Sequence, residues 1–148
     1  MNPSLLAMLA VVFGGAATAL QAPTNAKMMG AVGSPVNAAF VSFAVGTAAL
    51  GILAVALQVR PDMAASRALP WYAWIGGLYG AIFVVAAAWG VPRLGVATTI
   101  ILMVAGQLLI SVVVDHLGIM GVPRQPISWG RAAGVALVIA GVVMVRRF

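Results

Sequence analysis

Apolar residues run in five long stretches, about Leu5 to Ala22, Val36 to Gln58, Trp71 to Trp89, Leu94 to Val114 and Ser128 to Val145, and the segments between them hold most of the charge. Each stretch is close to the roughly 20 residues that a helix needs to cross a hydrocarbon core at about 1.5 Å per residue. The pattern predicts five spanning helices. Between them the chain reads Ala-Pro-Thr-Asn-Ala-Lys at 22–27, Gly-Ser-Pro at 33–35, Arg-Pro-Asp at 60–62, Gly-Val-Pro-Arg at 90–93 and Gly-Val-Pro-Arg-Gln-Pro at 121–126. Proline has no amide proton and disfavours a helical residue before it, so each of these segments is expected to end a helix.

The aromatic residues agree with this division. Trp71, Tyr72, Trp74, Trp89 and Trp129 all fall within about a turn of a span end, where amphipathic rings settle at headgroup level. The cluster Pro70-Trp71-Tyr72-Ala73-Trp74 therefore reads first as an interfacial anchor and second as an aromatic substrate cage. The first run has no Lys or Arg before Lys27, whereas a secretory signal opens on a basic segment, so it is taken as a span.

Composition strengthens the membrane assignment. Of 148 residues, 64% are apolar and only 7% are charged, against about 25% in a soluble domain. Ten charged side chains cannot cover a globular surface, so lipid must solvate the outside. The expected fold is an all-α integral membrane protein, with residues 1–148 forming a single five-helix transmembrane domain. Eight Lys and Arg against two Asp would ordinarily raise nucleic acid as a partner, but the basic residues stand mostly singly between apolar runs. Contact with lipid headgroups explains them better. There is no cysteine, hence no disulfide or thiolate chemistry.

The basic residues also bear on orientation. With the amino-terminal side as reference, Arg60, Arg67, Arg124 and Arg131 fall on that side, while Lys27, Arg93, Arg146 and Arg147 fall on the other. Orientation follows the Lys/Arg asymmetry of short loops, so an even division gives the insertion machinery almost no preference. Both orientations are expected, which allows two copies to pair upside-down. Transporters built from inverted repeats hold their substrate near the midplane between the halves. Here no internal repeat is visible, so the second half would be a second copy, giving a ten-helix inverted-topology dimer.

Polar residues within the spans carry whatever chemistry there is, because such groups face a bundle interior or a cavity. Gly14, Thr18, Gln21 and Asn25 follow spacings of 4, 3 and 4 and share one helix face. Thr99, Met103, Gln107, Ser111 and Asp115 recur every fourth residue, with Gln107 near the middle of its span. An amide at that depth is costly without a partner, so Gln107 is expected to line a cavity or make a contact. Asp115 and His116 end the same helix and are the candidates for proton coupling. An anion there opposes the helix dipole, so Asp115 alternatively forms a structural ion pair with Arg124 or Arg131. Gly130, Gly134 and Gly141 of the last span permit close backbone approach and read as a dimer contact, with packing inside the protomer as the alternative. One His and two Asp are too few for a closed metal site in one copy. No phosphate-binding loop, serine elbow or zinc-protease motif occurs, and no nucleophile–base pair suggests an enzyme.

Taken together, Gly14-Gly15, Gln21, Asn25, Gly33-Ser34-Pro35, Ala38-Ala39-Phe40, Ser42-Phe43, Val45-Gly46-Thr47, Pro70-Trp71, Pro92-Arg93-Leu94-Gly95, Gly106-Gln107, Ser111 and Asp115-His116 resemble the YdcZ-like family of the drug/metabolite transporter superfamily. The resemblance covers nearly the whole chain. It implies a five-helix half-transporter of the bacterial inner membrane, encoded singly, in pairs or as fusions. The sequence is more distantly similar to the small multidrug resistance family, whose antiparallel dimers use a glutamate in the first span. This chain contains no Glu, and the matching stretch offers Thr18, Gln21 and Asn25.

These readings lead to one expected function: a secondary transporter half, acting as an antiparallel dual-topology homodimer, that moves a small organic molecule by alternating access without a cofactor. Thr18, Gln21, Asn25, Ser42, Gln107 and Ser111 are the expected substrate-lining residues. Its partners would be an inverted second copy, the lipid bilayer and a small-molecule substrate. The alternative is a membrane scaffold that does not transport, or one half of a heterodimeric transporter.

Overall fold

The computed structural model describes residues 2–147, and among these the regular structure is entirely helical. Helix α1 (Pro3–Val32) is followed by α2 (Pro35–Ala56), a short α3 (Met63–Arg67), and a turn of 3₁₀ helix at Trp71–Ile75 that runs directly into α4 (Gly76–Leu94). Helices α5 (Val96–Leu117) and α6 (Trp129–Arg147) complete the chain. Five of these segments are long and apolar enough to cross a membrane: α1, α2, the stretch Trp71–Leu94, α5 and α6. The expected five-helix membrane fold is observed.

Two helices run past the prolines expected to end them. Pro23 lies inside α1, and Pro92 lies inside α4. Each removes the donor that the carbonyl four residues earlier, Ala19 or Ala88, would have used, and the residue that follows each proline bonds its side chain to the next carbonyl along. Thr24 Oγ1 donates to the Leu20 carbonyl at 2.9 Å, and Arg93 Nη1 donates to the Trp89 carbonyl at 2.6 Å. Spanning helices tolerate proline more readily than water-exposed ones, which would more often stop. The first helix therefore continues ten residues past Ala22, and α4 and α5 are separated only by Gly95, at φ 81° and ψ 163°. That backbone region is essentially reserved for glycine.

The chain divides at Arg93/Leu94 into two compact units. In the first, the buried residues are small: Ala22 and Asn25 of α1, Ala38 and Ala39 of α2, and Val84, Ala87, Ala88 and Gly90 of α4. Small side chains let helices approach closely, which substitutes for a hydrophobic driving force that lipid does not provide. Phe43 of α2 packs on Gly80 of α4, where an added Cβ would lie 3.1 Å from the ring. The second unit is the α5–α6 pair. Most large apolar side chains, among them Phe13, Phe40, Val55 and Leu137, point outward, as expected for surfaces bathed in acyl chains.

Candidate functional site

The α1–α2 connection sets the register of the first unit. Gly33 caps α1 in the left-handed conformation, with φ 82°, and returns its N–H to the Met29 carbonyl at 3.0 Å. Ser34 Oγ then accepts the Asn37 N–H to start α2, and Asn37 Nδ2 donates back to the Val32 carbonyl. Groups otherwise orphaned at both helix ends thus find partners inside a tight turn. The helices run antiparallel from it, and Gln21 comes level with Ser42. Gln21 Nε2 donates to Ser42 Oγ at 3.2 Å. One turn nearer the connection, Asn25 comes level with Ala38 and Ala39 and is buried. At about 1.5 Å per residue, Ser42 lies roughly 10 Å along α2 from Pro35, so this polar seam sits off-centre in the span.

In the second unit a polar cluster joins the end of α5 to the start of α6. Arg131 Nη1 lies 3.2 Å from Asp115 Oδ2, and the same guanidinium donates to the Gln125 carbonyl and to Gln125 Oε1. Of the two cations expected near Asp115, Arg131 makes the pair. Arg124 turns instead to the His116 carbonyl, to which its Nε donates at 3.0 Å. His116 Nδ1 accepts the Ile127 N–H at 3.1 Å, which assigns the ring proton to Nε2. The Gln125 N–H reaches the Asp115 carbonyl at 2.7 Å. Gly118 makes this closure possible. It caps α5 at φ 64°, and a Cβ there would lie 2.8 Å from Cβ of Arg124.

Two grooves open on the second unit. One, of about 420 Å³, is lined by Ser111, Asp115 and apolar residues of α5, with Arg131 and Gly134 of α6. The other, of about 550 Å³, follows one face of α5 past Gly106, Gln107, Ile110, Ser111, Val114 and Asp115. Of the ridge read from the sequence, Gln107, Ser111 and Asp115 border this groove, whereas Thr99 is buried and Met103 lies outside the lining. Gln107 is exposed near the middle of α5 and makes no side-chain hydrogen bond among the described residues.

The lining candidates fall into two groups, one in each unit. Gln21, Asn25 and Ser42 share the α1–α2 seam; Gln107 and Ser111 share the α5 face. Thr18 and Ser111 use their hydroxyls on their own helices, donating to the Gly14 and Leu108 carbonyls. An added Cβ would meet nothing within 4 Å at Gly134 or Gly141, and at Gly130 only Ser128 Oγ at 4.0 Å. Sequence reasoning missed the roles of Gln125 and Arg124 in closing the 118–128 loop. Gly118, two residues after His116 at the end of an apolar run, is the signal that could have pointed there. No cluster of His, Cys, Asp or Glu able to hold a metal occurs among the described residues.

Five spanning helices with polar side chains confined to a few faces define an integral membrane protein. The chain matches the family described as "Putative inner membrane exporter, YdcZ" over residues 6–144, and it belongs to that family. The inner membrane protein YdcZ of Escherichia coli strain K12 is 36% identical over 77 residues, covering 52% of this chain and 51% of that protein. The alignment thus spans about half the length of this curated relative. No solved structure matches the chain. Family membership agrees with the resemblance read from the ordered sequence blocks, and places the chain in the bacterial inner membrane.

Proposed function

We propose that the chain is one half of an alternating-access transporter, completed by a second copy in inverted orientation, that moves a small organic molecule. Gln107 carries the argument. An amide exposed at mid-span without a partner in its own chain is costly in hydrocarbon, so its partner is a substrate, water in a cavity, or the second copy. Its groove continues to Ser111 and Asp115, a lining with several hydrogen-bonding groups.

The inverted arrangement is supported by the even division of Lys and Arg between the two faces. It is further supported by the open surroundings of Gly134 and Gly141, which leave α6 room for close approach by another helix. In this reading the Asp115–Arg131 pair and the His116–Ile127 bond fix the α5–α6 end of the lining. The functional test is flux in liposomes: Gln107→Leu is expected to reduce transport while the dimer remains folded, and unchanged flux would remove Gln107 from the pathway.

A further inference from the structure

Among the described residues, Asn25 Nδ2 is the one buried side-chain nitrogen or oxygen with no hydrogen-bond partner. Asn25 is only 2% exposed. An amide N–H buried in a unit whose other buried residues are apolar weakens the fold unless an acceptor reaches it, so its retention needs a reason. The preceding turn of α1 supplies one. Gln21 Nε2 already occupies Ser42 Oγ, and the described residues provide no acceptor for the Ser42 hydroxyl hydrogen. Two donors on one seam are therefore unused. No carboxylate accompanies them: the chain has no Glu, Asp62 caps α3, and Asp115 pairs with Arg131 in the other unit.

We infer that the α1–α2 seam binds a small solute through an oxygen acceptor, a carboxylate or a carbonyl, taken by Asn25 Nδ2 and the Ser42 hydroxyl. This rests on the transporter reading above and names its substrate class. Besides these donors the seam offers only the neutral amide oxygens of Gln21 and Asn25 and no anion, so an organic cation finds no opposite charge there to offset its own. Because Asn25 is enclosed, binding requires α1 and α2 to part. An unpaired donor in the closed form favours that opening whenever an acceptor is available. The cost in stability is thereby tied to function.

The experiment is thermal unfolding of the full chain in lipid nanodiscs with benzoate, benzamide or benzylammonium as probe. Benzoate or benzamide is expected to raise Tm by about 2–4 °C at saturation, and benzylammonium to leave it unchanged. Asn25→Leu, which removes the unpaired donor and keeps the branching of the side chain, is expected to abolish the probe-induced shift. Asn25→Ala, the smaller variant in case Leu does not fit, should also lose the probe-induced shift. The inference is overturned by a shift that survives both variants, by stabilisation with benzylammonium alone, or by no shift with any probe. None of these readouts measures flux or topology, so failure of the transporter reading would register separately.

Discussion

Gln21 and Ser42, twenty-one residues apart, meet across the α1–α2 seam with Nε2 and Oγ 3.2 Å apart. The bond joins two helices at a level where lipid offers no competing partner. Interhelical hydrogen bonds in membranes contribute about 0.6 kcal/mol on average and at most about 1.7 kcal/mol. Ser42→Ala is expected to lower stability within that range. Gln21→Leu with Ser42→Ala should cost less than the two single changes added together, as a double-mutant cycle of detergent unfolding would record.

Gly118 should be among the least replaceable residues of the second unit. Its φ of 64° disfavours any side chain, and a Cβ would lie 2.8 Å from Cβ of Arg124. Gly118→Ala is expected to cost about 1–3 kcal/mol and to increase proteolysis of the 118–128 loop. Gly14→Ala, where a Cβ meets nothing within 4 Å, serves as the control and should be close to neutral.

Loss of Arg131 should loosen the same loop by a different route. The Asp115 and Arg131 side chains are 37% and 33% exposed, so the charge pair itself contributes about 1 kcal/mol or less. Arg131→Leu also removes the bonds to Gln125, so faster amide exchange across 118–128 is expected to be the larger effect. Arg131→Lys, which keeps the charge and loses the fork, should fall between the two.

The same geometry shows where sequence reasoning reached and where it stopped. The five spans were legible because length and apolar content alone define a helix that crosses lipid. The common face of Thr18, Gln21 and Asn25 followed from helical periodicity. Pro23 and Pro92 misled because the penalty for a missing amide was judged as in water, whereas these helices continue through both positions. Ser42 as the partner of Gln21 depends on the Gly33–Ser34 turn, whose register no single-helix pattern encodes. Counting sides identified Arg124 and Arg131 as candidates for Asp115, but choosing Arg131 required the path of the loop. The unpaired amide of Asn25 could not be read at all, since a missing partner is a property of packing.

Flux should separate the α5 face from the loop that braces it. Gln107→Leu is expected to lower transport with little change in Tm, whereas Gly118→Ala should lower both. Equal losses of Tm in the two variants would mean that Gln107 is structural glue.

Orientation is the most direct test of the central claim. The chain has no native cysteine, so one added at either end is a unique label and leaves every Lys and Arg in place. Labelling of intact cells with a membrane-impermeant maleimide should reach each of the two tagged proteins in part, as the proposed coexistence of both orientations requires. Complete labelling at one end and none at the other would fix a single orientation and contradict the inverted homodimer.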